Sequence, residues 1–385
     1  MSPTQPRIAI VGGGPAGFTA LLTLHKRGIP ATLYEREVSA TSRSHLGGTI
    51  DLHWNYGQRA FRENGLREVF DSVSRPEADE YHIAGKDGVT LVAIPASRKT
   101  KPEEFNPEID RPVLRKIMID AVPPESIKWG HALASVRALG GGEHELTFTN
   151  GTTTVCDLLI GADGGQSRVR PLVSPAERIY TGINGAEISL APGVIDREDM
   201  ADLGAAIGKG TLFARTGTGR VRTYPWFLAP EDWKLPEDPS AARAALRERF
   251  ATWSPVLLKL IDHADDAAVY QRALYMLPVD HTWTHVDGVT IVGDAAHLMT
   301  PFSGMGGNVA MLGALEMGIA VADAINAGAT REEREAAIAA CEASTFKKAQ
   351  KWAQKTFEGQ EKAFQEGTPG KLMDEMNASA VDKND

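Results

Sequence analysis

Arg7-Ile8-Ala9-Ile10-Val11-Gly12-Gly13-Gly14-Pro15-Ala16-Gly17 is the stretch whose reading decides the fold. Its first five residues read as a short apolar strand, and the glycines after them as a tight turn that opens a helix. That helix stays apolar to Leu24 and stops at Gly28; a second strand, Ala31 to Tyr34, ends in Glu35-Arg36. Strand, glycine turn, helix and strand at this spacing make a βαβ unit. In Gly12-x-Gly14-x-x-Gly17, with Pro15 and Ala16 inside the turn, backbone N–H groups at the helix N-terminus can meet a pyrophosphate. Glu35, about 20 residues on, stands where a carboxylate can accept hydrogen bonds from a ribose diol. The glycines alone would also suit a turn that binds nothing.

Two further stretches repeat the theme. Val155 to Ile160 is apolar but for Asp157 and Val289 to Val292 but for Thr290, and each runs into a glycine followed closely by an aspartate. The first continues as Gly161-Ala162-Asp163-Gly164, then Ser167 and Arg170; Asp163 either caps the next turn or meets a ligand. The second continues as Gly293-Asp294-Ala295-Ala296-His297, then Pro301, Gly304, Gly306 and Asn308, opening a helix apolar almost all round. Such a helix is buried, and its N-terminus offers free N–H donors and partial positive charge to an electron-rich ring or a diphosphate. His297 taken alone reads as a hydrogen-bonded structural histidine.

The 385 residues are too many for one compact core of ordinary size, so two lobes are expected. The nucleotide lobe takes residues 1–80, 95–175 and 281–330. Residues 81–94 and 176–280, with short alternating stretches such as Thr211–Ala214 and Arg220–Phe227, read as an inserted antiparallel lobe with one wet face. Residues 331–366 read as a helix of about 50 Å, Phe346, Ala349, Ala353, Phe357 and Phe364 sharing one face. Residues 367–385 form a polar tail. The fold class is therefore α/β: a Rossmann-like lobe, an inserted antiparallel-sheet lobe and a bracing C-terminal helix.

A net charge of -9 argues against nucleic acid. Cys156 and Cys341 read as small core residues, neither a disulfide framework nor a metal cluster. The first strand starts at once and no apolar run is expected to span a membrane, so the expected location is cytoplasmic.

The three glycine-aspartate segments, in this order and spacing, resemble the FAD-dependent aromatic hydroxylases of the p-hydroxybenzoate hydroxylase type. Within that group the chain is most similar to the tetracycline-inactivating flavin monooxygenases, through Gly47-Gly48-Thr49-Ile50-Asp51-Leu52-His53, Phe105-Asn106-Pro107-Glu108-Ile109-Asp110-Arg111 with Leu114 and Arg115, and Ala295-Ala296-His297-Leu298-Met299. The resemblance implies non-covalent FAD. Gly12, Gly14 and Gly17 would receive the pyrophosphate, and Glu35 with Arg36 the adenosine end. Asp51 and Arg111 would meet the flavin side, Asp294 the ribityl or pyrophosphate region, and Gly304, Gly306, Gly307 and Asn308 the isoalloxazine. It further implies NADPH or NADH as a transient reductant, O2 as co-substrate, and a flavin C4a-hydroperoxide that hydroxylates a small aromatic or polyketide substrate. The chemistry belongs to the cofactor, and no protein side chain is singled out as catalytic.

Several positions depart from the family pattern. The arginine expected to meet the pyridine nucleotide falls at Ser44, with Arg43 adjacent. Met305 and Gly307 replace the commoner Gln and Val, and Gly313 stands where an Asp is usual. The residues that grip tetracycline align with Glu187, Leu203 and Arg222, so the polar grip differs. Phe213, Tyr224, Trp226, Phe227 and Phe302 supply an apolar wall, on which Arg222 is expected to fix an enolate or phenolate. A flavin oxidase or reductase, and a non-catalytic flavoprotein that sequesters a ligand, remain alternatives. A monomer or weak oligomer is expected.

Overall fold

The computed structural model describes residues 5–42, 47–78, 81–94, 101–207, 214–215 and 219–365. Five strands form a parallel sheet in the order Val289–Ile291, Leu158–Gly161, Ile8–Val11, Thr32–Tyr34, Ile127–Lys128. Parallel strands covered on both faces read as continuous apolar runs, as three of these do: Ile8–Val11, Leu158–Gly161 and Val289–Ile291 are buried at every position. Helix Pro15–Lys26 covers one face and packs against the buried helix Gly306–Asn326, in a cluster that includes Leu21, Leu24, Leu315 and Val321. The latter helix is long and apolar enough to cross a membrane by composition, contrary to the sequence expectation, but most of it is buried within the protein.

The run expected as one strand from Val155 to Ile160 is two. Thr153–Cys156 belongs to an antiparallel three-stranded sheet with Glu143–Phe148 and Leu133–Gly140, and Leu158–Gly161 to the parallel sheet. The chain changes sheets at Asp157, whose carboxylate takes the Arg7 backbone N–H at 2.7 Å and its guanidinium at 2.7 and 2.9 Å.

The middle region is built on strand Ile183–Leu190. It pairs on one edge with Val221–Thr223 and Trp226–Leu228, on the other with Ala264–Gln271, all antiparallel. The expected wet face is not wet: all eight residues of Ile183–Leu190 are buried. Ala186 and Ile188 pack on helices Pro239–Arg249 and Pro255–Asp262, through Leu246, Leu258 and Ile261. The opposite, polar face carries Glu187, Ser189 and, across the ladder, Arg222, and it turns toward the nucleotide lobe. Hairpin Tyr81–Ala84 and Thr90–Ile94 reaches this region where Ser254 N donates to Lys86 O at 2.7 Å.

The C-terminal helix runs Arg331–Ala363, started by a Thr330–Glu333 capping box. Ala349 and Ala353 are buried and Phe346 packs edge-on against Trp283 at 4.5 Å, while Phe357 is 37% exposed. Its far end braces the glycine loop: Thr356 hydrogen-bonds Ser303, and Phe364 meets the Phe302 ring at 5.9 Å.

Candidate cofactor and substrate site

Four of the five parallel strands end in the residues singled out by sequence. Ile8–Val11 delivers the glycine turn, Thr32–Tyr34 Glu35, Leu158–Gly161 Asp163, and Val289–Ile291 Gly293-Asp294. A ligand laid over the carboxyl ends of an open sheet meets all of them, which is why the motifs are scattered in sequence.

The first turn is shaped for a close visitor. Gly12 has φ +106°, and a Cβ there or at Gly17 would overlap neighbouring backbone, Ala162 in one case and the Gly12 carbonyl in the other. Gly14, the N-cap of the helix, has no side-chain cap, and a Cβ on it would meet nothing within 4 Å. Space above an uncapped helix N-terminus is what a pyrophosphate requires. Glu35 is buried and accepts from Gly13 N at 2.5 Å and Glu37 N at 2.9 Å, so it also holds the turn in shape. Arg115, not among the sequence candidates, clamps the same turn: Nε donates to Gly13 O at 3.2 Å and Nη1 to Ala40 O at 3.1 Å. Arg36 is exposed beside Glu37, at 3.7 Å.

Asp163 takes the capping role. Its oxygens accept from Ser167 Oγ at 2.5 Å and Arg168 N at 2.7 Å, while Arg170 ties the loop to Ala295 O at 3.1 Å. Asn308 corrects the sequence reading more sharply. Expected beside the flavin ring, it is fully buried; its Oδ1 accepts from His53 N at 2.8 Å and Gly57 N at 3.2 Å, and Nδ2 donates to Asp51 O at 2.8 Å. It staples strand Thr49–Asp51 to the glycine loop. At Gly307 a Cβ would press on the end of the Ile50 side chain, which would have to turn aside.

Asp294 lies within electrostatic reach of Arg111. Asp294 is exposed yet lies deep in the protein; desolvation pushes its carboxyl up, and the Arg111 guanidinium opposes the shift. An exposed carboxylate deep inside the molecule means that the surface it offers belongs to an internal cleft. Gly304 and Pro301 are exposed on the same wall, and Asp51 points at it: a Cβ on Gly304 would sit 4.0 Å from both its carboxylate oxygens. An uncapped helix N-terminus at one end and an open, glycine-lined cleft at the other fit an extended dinucleotide.

The middle region closes this cleft. A Cβ on Gly48 would lie 2.8 Å from the Tyr224 hydroxyl and 3.2 Å from Arg222 Cδ, so the absence of a side chain lets the two lobes seat together. Tyr224 stacks on Trp226 at 5.0 Å, and Trp226 meets Phe302 at 5.7 Å. Arg222 is not a free cation as expected: it is buried in an ion pair with Glu187, which also binds Arg272 Nε at 2.9 Å. Two buried donors, Arg222 Nε and Trp226 Nε1, have no acceptor. Leu203 is buried away from these residues, in a cluster with Leu190 and Leu260. Phe213, Arg43 and Ser44 lie outside the described residues. Beside the wall, a cavity of about 320 Å³ lies between Gly165, Arg178, Tyr275 and the Leu298–Pro301 loop.

Residues 5–344 match the model of the FAD-binding domain family. The chain belongs to that family. It is an FAD-dependent monooxygenase, and FAD is its cofactor. Similar proteins include a monooxygenase of Emericella nidulans, asqM, 30% identical over 81% of this chain and 82% of its own length. An FAD-dependent urate hydroxylase of Mycolicibacterium vanbaalenii is 29% identical over 81% and 78%. Among solved structures, Klebsiella pneumoniae HpxO complexed with FAD and uric acid superposes with a TM-score of 0.76 at 22% identity, covering 97% of this chain and 92% of that one. Tetracycline destructase Tet(51) superposes at 0.69 with 20% identity, covering 98% and 96%.

Both cysteines and His297 are silenced by burial. Burial pushes Cys156 up to about 12 and Cys341 up to about 11, so neither thiol is a nucleophile near neutral pH. His297 is buried, and neither ring nitrogen has a hydrogen-bond partner, so it is not the hydrogen-bonded histidine expected; burial pushes it down to about 4. The fold also gathers His285, Asp287 and Glu335, a potential metal-ligand set that sequence reading did not find. Arg331 and Arg334 approach the same carboxylates at 3.8 and 3.3 Å, which makes it an ion-pair cluster.

Proposed function

We propose that this monooxygenase consumes NADPH or NADH and O2 to hydroxylate a small, flat, oxygen-rich substrate of phenolic or enolic type. The observation that carries the substrate class is the pair of buried donors without acceptors, Arg222 Nε and Trp226 Nε1, on either side of Tyr224 in an aromatic wall. A buried N–H left unpaired costs about 1–3 kcal/mol, so these positions favour a ligand that brings acceptor oxygens. Arg222, Arg272 and Glu187 together carry one net positive charge, which favours an ionised oxygen and the more nucleophilic ring that goes with it.

FAD, when bound, supplies the oxygen activation and electron transfer. Gly12, Gly14 and Gly17 would hold its pyrophosphate, Glu35 its ribose, and Arg111 and Asp294 its flavin end from opposite sides of the cleft. Asp51, Pro301, Gly304 and Gly306 would line the ring, with Asn308, Gly307 and Asp163 shaping the loops behind it. Trp226 and Phe302 would exclude water over the substrate. The enzyme is read as soluble and cytoplasmic.

The test measures NADPH consumption by the flavin-loaded protein against phenols, uric acid and tetracyclines, with mass spectrometry for a product one oxygen heavier. Product with stoichiometric NADPH use supports the reading. Hydrogen peroxide alone, with every substrate, turns it into an oxidase, and protein that purifies without flavin into neither.

A further inference from the structure

Strand Ile179–Tyr180 pairs with Tyr275–Met276, which brings the two ends of the middle region side by side. The cavity of about 320 Å³ lies there, between Gly165 and Gln166 of the Asp163 loop, the segment Ala273 to Tyr275, and the loop Leu298 to Pro301. Met299 and Thr300 are buried while Arg178 and Gln166 are exposed, so the cavity opens to solvent on the Arg178 side. Arg178 is held in place by neutral groups. Gln166 Oε1 accepts from its Nη1 at 3.1 Å and Nη2 at 3.0 Å, and the guanidinium lies 4.0 Å over the Tyr275 ring. Among the described residues no carboxylate comes within 4.0 Å of it. Glu231, the acid beside Tyr275, is engaged by the Tyr275 hydroxyl at 2.9 Å. Buried Arg170 lies within electrostatic reach of Arg178 and donates to Gly165 O at 2.6 Å; Asp163 offsets it in part, with its own oxygens committed to Ser167 and Arg168. Thr300 adds a buried hydroxyl with no hydrogen-bond partner. A guanidinium without a carboxylate and a hydroxyl without a hydrogen bond thus border one cavity, and an oxyanion accepts from both kinds of donor.

We propose that this cavity is an oxyanion site, in which Arg178 takes a carboxylate or phosphate group and Tyr275, Leu298 and Met299 receive the apolar body that carries it. Ligand pockets begin at roughly 300 Å³, so the space suits a benzoate-sized molecule or one end of a larger one. Pro301 belongs both to the cavity and to the cleft wall, and the next residue, Phe302, meets Trp226 in the aromatic wall. An anion at Arg178 is therefore a neighbour of the cofactor cleft. It arrives either as the acid arm of the substrate or as a phosphate of the nicotinamide dinucleotide. The site itself goes beyond the monooxygenase reading, whereas its use in turnover rests on that reading. Selection is by charge: an ester or amide of the same shape brings no negative oxygen to the guanidinium.

The test starts from binding, with FAD-loaded protein and Arg178→Gln compared at equal flavin content. Benzoate and inorganic phosphate, each against sodium chloride of the same ionic strength, should raise the Tm of wild type and leave Arg178→Gln unmoved. Arg178→Lys, which keeps the charge but loses the fork, should fall between them. No rise in wild type, or an equal rise in Arg178→Gln, means a guanidinium that only stacks on its ring and overturns the site. Turnover then separates the two sources. If the dinucleotide brings the oxyanion, Arg178→Gln should raise the KM for NADPH about tenfold relative to that for NADH, the loss expected for one charge-assisted hydrogen bond, and benzoate should compete with NADPH. If the substrate brings it, the KM for a phenolic acid should rise by a similar factor and that for its methyl ester should not. A variant in which none of these KM values moves overturns the use of the site in the reaction. Wild type that oxidises no NADPH sinks the monooxygenase reading, and the melting curves still decide the site.

Discussion

The nucleotide lobe and the seam with the middle region treat their polar groups in opposite ways. In the lobe, Glu35, Asp163 and Asn308 are each committed to neighbouring backbone at 2.5 to 3.2 Å. At the seam, Arg222 and Trp226 each bury a donor with no acceptor. In the lobe these three side chains hold their loops whether or not a cofactor is present. A ligand that brings its own oxygens would satisfy these two donors, and native interiors leave few buried polar groups unpaired. Conserving a cofactor site while changing a substrate needs such a division.

The largest effect that would test this contrast comes from Arg222→Ala. It leaves buried Glu187 with only the half-exposed Arg272, and breaking a buried pair costs about 3–5 kcal/mol. Thermal unfolding should show that loss, with FAD content unchanged in the fraction that folds. The paired replacement Arg222→Met with Glu187→Met should recover most of the stability, because the buried charges leave together. It should still raise the KM for a phenolate or enolate substrate. A double variant with wild-type KM removes Arg222 from the site and leaves Trp226 Nε1 as the unpaired donor at the seam.

Glu35→Ala comes next. It removes the acceptor of the Gly13 N–H and the expected ribose partner at once, for a loss of about 1–3 kcal/mol in FAD binding. Titration of the apoprotein with FAD and with FMN separates the two. If Glu35 only shapes the turn, both flavins weaken alike; if it also reads the ribose of the adenosine half, FAD weakens more.

The same contrast explains what was legible in the sequence. The glycine motifs could be read because each marks a place where backbone must pass closely, and that demand fixes residue type. Helix Pro15–Lys26 and four of the parallel strands followed from apolar runs beside the glycines, and the long C-terminal helix from periodicity, while strand Ile127–Lys128 was not read. The break at Asp157 could not be read, because the signal is a partner 150 residues away, Arg7. The Glu187–Arg222 pair was hidden for the same reason: it is made by strand register. Phe357 matched the helical period but is exposed, since the buried face runs on from Ala353 through Thr356 and Gln360 beside it.

His297 lies in the nucleotide lobe without a hydrogen-bond partner, and it carries the smallest prediction. Both ring nitrogens lack partners, and a Cβ on Gly313, where an aspartate is usual in similar proteins, would stand 4.0 Å from Nε2. Because burial holds His297 down to about 4 against an ordinary 6.5, the unfolded chain takes up a proton in that interval that the folded protein refuses. Stability is therefore lost as pH falls from 6.5 to 4. Gly313→Asp should give the imidazole a carboxylate partner, let it ionise within the fold, and flatten that acid-side loss. At neutral pH the gain in hydrogen bonding and helix propensity offsets the desolvation of the new pair, so the change in stability should stay within about 1 kcal/mol. The measurement is the pH dependence of Tm for the two proteins from 7 to 4. An unchanged slope would mean that the carboxylate does not reach Nε2. In that case Thr345, whose Cγ2 would lie 3.4 Å from the new Cβ, has turned it away, and the unpartnered histidine is a consequence of packing between the two helices.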